Sequence, residues 1–241
     1  MTPTARPPIP LPTPDPLATP EGFAGRLGDI GVHLDAGALV RLGDYLARLL
    51  AVNEHMNLTA IRDPLEAWEK HVLDALTLVP LLAELGPEKR VVDVGSGGGV
   101  PGIPLAIARP DLRLTLVEAT QKKAAFLSAV AAALGLRNVS VRAERAEQLA
   151  AGELRGTFDA ATARAVGRLV TLVPQTAPFV RPGGLVLLVK GQRADEELAE
   201  ATRVIGQQQC THEKTVATPT GRIVVLRRGA ADPRRKVRRP G

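Results

Sequence analysis

The segment Val91-Val92-Asp93-Val94-Gly95-Ser96-Gly97-Gly98-Gly99-Val100-Pro101-Gly102 carries the densest chemical signal in the chain. Apolar residues end a strand, glycines turn the backbone, and a helix is expected to follow. A backbone without Cβ admits positive φ and lets a ligand lie against peptide groups. Two cofactor chemistries compete for this loop. The spacing Gly97-x-Gly99-x-x-Gly102 matches the dinucleotide fingerprint, but Gly97 comes three residues after Val94 rather than directly after the strand. In the other register, Asp93-x-Gly95-x-Gly97-x-Gly99, a carboxylate sits inside the strand end. It repels a pyrophosphate but attracts an ammonium. That register suits a nucleoside with a cationic amino-acid end, as in S-adenosylmethionine (SAM). Glu118, about twenty residues beyond the loop, ends the second strand, where an acid accepts from ribose hydroxyls in either cofactor. Arg145-Ala146-Glu147-Gln148 follows the third strand. There the Ala146 backbone and the Glu147 carboxylate can meet an adenine edge, although Glu147 equally suits a helix start, where acids complement the dipole. Phe158-Asp159-Ala160-Ala161-Thr162-Ala163-Arg164-Ala165 brings Arg164 to the pocket rim, as a cofactor or phosphate contact or as a structural ion pair.

The elements around these residues have readable periods. β-branched or apolar runs occur at Arg90–Val94, Leu112–Val117, Val139–Arg142, Phe158–Thr162 and Leu185–Val189, and helical segments such as Thr120–Leu134 separate them. Alternation of strand and helix predicts a parallel sheet with helices on both faces. The ending differs. Helix 194–206 leads into Cys210–Thr218, a Pro219-Thr220-Gly221 turn and Arg222–Arg228, so the last two strands must run antiparallel. Upstream, residues 21–86 read as helical. Asp35 can cap a helix bearing Leu39, Leu42, Leu46 and Leu49, and Pro64 can start another bearing Trp68, Val72 and Leu76. Residues 1–20 hold eight prolines and are expected to form a disordered, mobile leader. The expected organisation is leader 1–20, helical extension 21–86, cofactor domain 87–228 and basic tail 229–241.

Composition narrows the class. Of 241 residues 45% are hydrophobic, enough for a packed core, and no apolar run is long enough to cross a bilayer. Residues 1–20 lack the apolar core of a secretion signal. Cys210 is the single cysteine, which excludes an internal disulfide framework and a multi-cysteine zinc site. The four histidines stand far apart, so no metal site is expected. With aromatic residues at 2%, a sheet that binds RNA by base stacking is disfavoured. The seven basic residues of 227–241, opposed by Asp232 alone, account for the whole formal charge of +6. Guanidinium groups suit phosphate oxygens, but such a tail equally fits a solvated end.

Taken together, the sequence resembles the bacterial 16S ribosomal RNA guanine-N7 methyltransferases, the glucose-inhibited division protein B family. The resemblance rests on Asn57-Leu58-Thr59-Ala60-Ile61, His71-Val72-Leu73-Asp74-Ala75, the block Asp93–Leu105, Arg164-Ala165-Val166 and Arg238-Arg239-Pro240-Gly241. It implies a Rossmann-like class I SAM-dependent methyltransferase with a mostly parallel sheet, a C-terminal antiparallel hairpin and a helical N-terminal extension. It also implies SAM as cofactor and N7 of one guanine in the small-subunit decoding region as acceptor. The cofactor contacts it implies are Gly95, Val100, Glu118, Ala119, Thr120, Ala146, Glu147 and Arg164, to which the reading of the loop itself adds Asp93 and Gly97.

Guanine N7 already holds an in-plane lone pair, so no residue is expected to act as acid or base, and catalysis would rest on positioning. O6 of the same base would then meet a donor such as Lys190, Arg164 or Asn57. Lys122, Lys123, Arg142, Arg145, Arg168, Arg193 and the tail would grip 16S rRNA or the small-subunit particle. A cytoplasmic monomer without membrane or DNA partners is the matching expectation. Rival readings are an NAD-dependent oxidoreductase, a methyltransferase acting on a small molecule or protein, and a catalytically silent RNA-binding assembly factor.

Overall fold

The computed structural model describes residues 11–164 and 167–229. The first half of the leader, the Ala165-Val166 pair and nearly all of the basic tail lie outside the described residues.

Seven strands form one sheet: β1 (Arg90–Val94), β2 (Arg113–Val117), β3 (Val139–Arg142), β4 (Phe158–Arg164), β5 (Val180–Lys190), β6 (Cys210–Thr218) and β7 (Gly221–Arg228), in the order β3-β2-β1-β4-β5-β7-β6. The first five run parallel, with Val92 beside Thr115 and Ala161. β7 pairs antiparallel with β5, and β6 antiparallel with β7. This is the mixed architecture expected from the short turn after Thr218. Both faces of the central strands are covered, so β1 and β4 are buried almost throughout, whereas edge strand β6 is largely exposed. Along β5, Leu185 and Leu187 join one core cluster while Val186 and Leu188 join another.

Helices α1 (Phe23–Asp29) and α2 (Ala36–Met56) open the described chain, and Asp35 caps α2 by accepting from the Ala38 amide at 2.6 Å. Next, α3 (Pro64–Ala67) passes through a π-helical stretch (Trp68–Leu73) into α4 (Asp74–Leu76). Asp63 caps α3 by accepting from Glu66 N, with Pro64 at the first helical position, where no amide donor is needed. These elements share one core with α5 (Gly102–Ala108) and α6 (Gln121–Ala133): Trp68, Tyr45 and Leu46 pack with Ile103, Phe126 and Leu127. On the opposite face lie α7 (Ala146–Ala151), α8 (Leu169–Thr176) and α9 (Ala194–Gln207).

The described half of the leader, residues 11–20, differs from the expectation of mobility. Residues 11–20 are extended, as their prolines require, but they lie strapped against α2. Leu17 N donates to Gly43 O at 3.1 Å, Arg48 Nη1 donates to Pro12 O at 2.9 Å, and Leu11 and Leu17 pack on the core. Composition argues for a solvated leader because proline gives up its own amides. Its carbonyls still accept, however, and two leucines suffice to dock the strap.

Candidate active site

The carboxyl ends of β1, β2 and β4 face a cavity of about 620 Å³, which α2, the segment after it and the π-helical stretch close from the other side. Its floor is the glycine loop. Gly97 holds φ +54, and the bend there turns its amide toward Glu118, whose Oε2 accepts at 2.9 Å. Oε1 of the same carboxylate accepts from Thr120 N at 2.7 Å, so Glu118 ties loop and α6 start together while lining the cavity. Gly102 is needed for close approach, since a Cβ there would stand 2.2 Å from Leu116 Cδ2 and 2.9 Å from Asp93 Oδ2.

Gly95, Gly97, Val100, Glu118, Ala119, Ala146, Glu147 and Arg164 all stand on the cavity wall. Glu147 accepts from Gln175 Nε2 at 2.7 Å. Asp93 differs from expectation. It is 1% exposed and lies behind the wall, where Oδ1 accepts from Thr162 Oγ1 (3.1 Å) and Oδ2 from Gly102 N (3.3 Å). These bonds tie it to the start of α5 and to β4. Burial pushes its carboxyl up to about 6, opposed by those hydrogen bonds and by the charge of Arg164. Thr120 is exposed at the α6 N-cap and contributes its amide alone.

The expected RNA contacts separate by pairing. Lys123 and Arg145 line the cavity, and neither they nor exposed Lys122 has a carboxylate partner among the described residues. Lys190, by contrast, lies off the cavity, bound to Glu197 Oε2 at 2.9 Å and Gly167 O at 2.6 Å. Arg193 pairs with Glu196, Arg168 with Glu200, and Arg142 with Glu144 and Glu153. Asn57 is exposed and takes the left-handed conformation (φ 48) that ends α2, a position that suits Asn. Spacing along one chain shows which cations exist but not which carboxylates fold beside them.

Several residues on or behind the wall carried no readable role in the sequence. Asn53, 2% exposed, accepts from Leu58 N (2.7 Å) and Thr59 N (2.9 Å) and so shapes the 58–61 wall. Tyr45 donates to Gly98 O at 2.9 Å, and burial raises its pKa, keeping it a donor. Asp74 Oδ2 meets Arg164 Nε at 3.1 Å, and its other oxygen accepts from Thr220. One buried acid thus joins the helical segment, the end of β4 and the terminal hairpin. Arg164 is therefore an ion-pair member and a wall residue at once, and among the described residues its buried Nη1 has no partner. His71 meets Thr59 Oγ1 through Nε2 at 2.9 Å. Its pKa is lowered to about 4, first by burial and then by the Arg164 charge, opposed by a hydrogen bond to the Lys70 backbone.

A sequence model of the family described as rRNA small subunit methyltransferase G matches residues 39–224. The chain belongs to this family. It is 70% identical over 235 residues to a ribosomal RNA small subunit methyltransferase G from Sorangium cellulosum, covering 98% of each chain. A protein of the same name from Halorhodospira halophila is 40% identical over 201 residues, 83% of this chain and 92% of that one. Among solved structures, a putative S-adenosyl-L-methionine-dependent methyltransferase from Methanococcus maripaludis aligns with TM-score 0.53 at 10% identity, over 80% of this chain and 95% of that one. A putative transferase from Pyrococcus horikoshii aligns with TM-score 0.52 at 13% identity, over 66% and 64%. These likenesses show the Rossmann-like methyltransferase fold. The family's matched stretch contains the glycine loop, Glu118, His71, Asp74 and Arg164. Among the described residues no helix is long and apolar enough to cross a membrane, and no group of three acidic, His or Cys side chains is placed to hold a metal.

Proposed function

We propose that the protein transfers a methyl group from SAM to N7 of a guanine in the decoding region of small-subunit ribosomal RNA, acting in the cytoplasm as a monomer. The observation that carries this reading is the cavity at the carboxyl end of the sheet, with the Glu118-tied glycine loop on one side and unpartnered cations at its mouth. The residues present fit the methyl donor. A space of about 620 Å³ falls within the usual range for small-molecule sites. Each Glu118 oxygen accepts one backbone amide and retains acceptor capacity for a ribose hydroxyl. Ala146 offers a small wall against which an adenine ring can lie, beside Glu147.

SAM supplies an electrophilic methyl group on a positively charged sulfur. The protein's part is to position and to desolvate. Guanine N7 carries its own electron pair, so no wall residue is required to remove a proton before attack, and orientation supplies the rate. Tyr45 and Asn53 fix the two wall segments between which an acceptor base can enter. Lys123 and Arg145 at the rim give phosphate oxygens counter-charge.

Mass mapping of small-subunit RNA from cells lacking this chain is the test. One methylguanosine should vanish and return with the gene, and an unchanged map would end the proposal. Raised melting temperature with SAM but not with NAD is the corresponding check in solution.

A further inference from the structure

The end of the sheet away from the candidate active site is cationic. A cavity of about 630 Å³ opens at the amino ends of β1, β2 and β3, where Arg41, Arg90, Arg113 and Arg137 stand against one acid, Glu88. Glu88 is taken by Arg113. Arg41, Arg90 and Arg137 are exposed and have no carboxylate partner among the described residues. This is a local concentration of charge. Outside residues 227–241 the chain holds as many acidic as basic residues, and exposed arginines elsewhere, such as Arg26, Arg168 and Arg193, pair with glutamates.

Three elements supply the unpaired groups: Arg41 comes from α2, Arg90 starts β1, and Arg137 lies in the turn between α6 and β3. The Arg90 guanidinium sits over the Phe158 ring, 4.7 Å from its centroid, a contact that holds the cation without spending an N–H donor on a carboxylate. A guanidinium fork matches phosphate oxygens, and forks spread over three elements suit phosphates in series better than a single anion. The terminal hairpin leads to the same end. Arg227 stands beside Leu185, Leu185 beside Ala160 and Ala160 beside Val91, so β7 finishes level with the start of β1. Across β4 and β5 the two are about 14 Å apart at the usual strand spacing. The described chain stops there, at Gly229, and the sequence beyond it holds five basic residues and one acid.

We infer that this amino edge of the sheet is a second surface for small-subunit RNA, on which Arg41, Arg90 and Arg137 receive backbone phosphates while the base to be methylated enters at the opposite edge. The inference rests on the methyl-transfer reading and extends it by placing RNA at both ends of the strands. β1 has five residues, so those ends lie about 17 Å apart. A folded RNA can span that length and a single nucleotide cannot. Phosphate contacts carry no sequence information, so this surface sets the placement of the RNA and leaves the choice of base to the cavity at the carboxyl ends.

The test replaces Arg41, Arg90 and Arg137 together in the full chain, by Gln in one variant and by Lys in another, and measures affinity for protein-free 16S RNA and for small-subunit particles over a range of salt. With Gln the slope of log affinity against log salt should fall by about two to three for both probes, and Lys, which keeps the charge, should restore most of it. Binding of S-adenosylhomocysteine, read by calorimetry, should match wild type in both variants. Wild-type slopes in the Gln variant would overturn the surface. So would a loss confined to particles, which would make the occupant an acidic protein, and so would an equal loss of S-adenosylhomocysteine binding, which would make the arginines scaffold. If Arg90→Gln uncovers Phe158 and the triple variant fails to fold, Arg41→Gln with Arg137→Gln gives the same reading with an expected fall of about two. Wild-type protein that binds neither S-adenosylhomocysteine nor either RNA would instead overturn the methyl-transfer reading.

Discussion

Two hollows of almost equal size flank the sheet, about 620 Å³ at the carboxyl ends of the strands and about 630 Å³ at the amino ends of β1, β2 and β3. Several polar groups of the second are tied to one another. In the second hollow Asn138 Nδ2 donates to the Ala106 and Leu112 carbonyls (3.1 and 3.2 Å), Thr115 and Ser140 share a hydrogen bond, and Arg113 pairs with Glu88. None of its lining residues, all of them described, holds a buried polar atom without a partner. Cations without a carboxylate partner among the described residues stand at both hollows, Lys123 and Arg145 at the first and Arg41, Arg90 and Arg137 at the second. Volume is a by-product of strands meeting helices. Place separates the two: the first lies at the carboxyl ends of the parallel strands, where sheets of this kind take their ligands.

The largest expected contrast is in cofactor binding. Glu118→Ala removes the acceptor of both Gly97 N and Thr120 N, and calorimetry should show SAM affinity reduced about a hundredfold or more, in line with charged hydrogen bonds of ~1.5–3 kcal/mol each. Asn138→Ala, which unties the other hollow, should leave SAM affinity within about twofold while lowering the melting temperature. Equal losses would erase the distinction between the two hollows. Next in size, Gly102→Ala pushes a methyl group into Leu116 and Asp93 and should destabilise the fold by about 1–3 kcal/mol in denaturant titration.

The pH dependence of stability gives a third contrast. His71 stays neutral in the folded state down to about 4, whereas in the unfolded chain it binds a proton near 6.5. The unfolded state therefore holds more protons between those values, and stability rises with pH across that window. Relative to His71→Asn, the wild-type protein should lose stability as pH falls from about 6.5 toward 4, by an amount on the order of 1 kcal/mol per unit. Asn138→Ala should show no such trend against wild type, since the substitution removes no titrating group. The smallest effect concerns the rim. Replacing Lys123 and Arg145 with Ala should flatten the plot of log affinity for rRNA against log salt, by about one in slope for each phosphate left without a cation. Replacing Arg168 and Arg193, already paired with glutamates, should leave that slope unchanged.

Much of the frame is legible without coordinates. Strand runs, the glycine block and Glu118 are local signals, and each stands within a few residues of where its pattern puts it. β5 runs longer than its apolar core, because Val180 pairs with Phe158 across an irregular register that no run of hydrophobicity marks. The site is half legible. Arg164 reads as either ion pair or ligand contact and is placed to be both, a result hidden because its acid partner lies ninety residues upstream in another element. Lys190 stands at a strand end, where ligands gather, yet α9 places Glu197 against it. His71 falls within a family-like segment without a role of its own, since nothing in one sequence reveals that its ring is buried against Thr59 and near the Arg164 charge.

Local chemistry alone thus determined the turns, the strand faces, the antiparallel ending and the place of the glycine loop, because these depend on backbone freedom and on side-chain period within a few residues. Which charges are spent on each other, which buried donors are left waiting, and that a proline strap docks instead of drifting were decided only when distant segments met. Pairing energy depends on distances of a few ångströms, and the order of residues along the chain does not fix those distances.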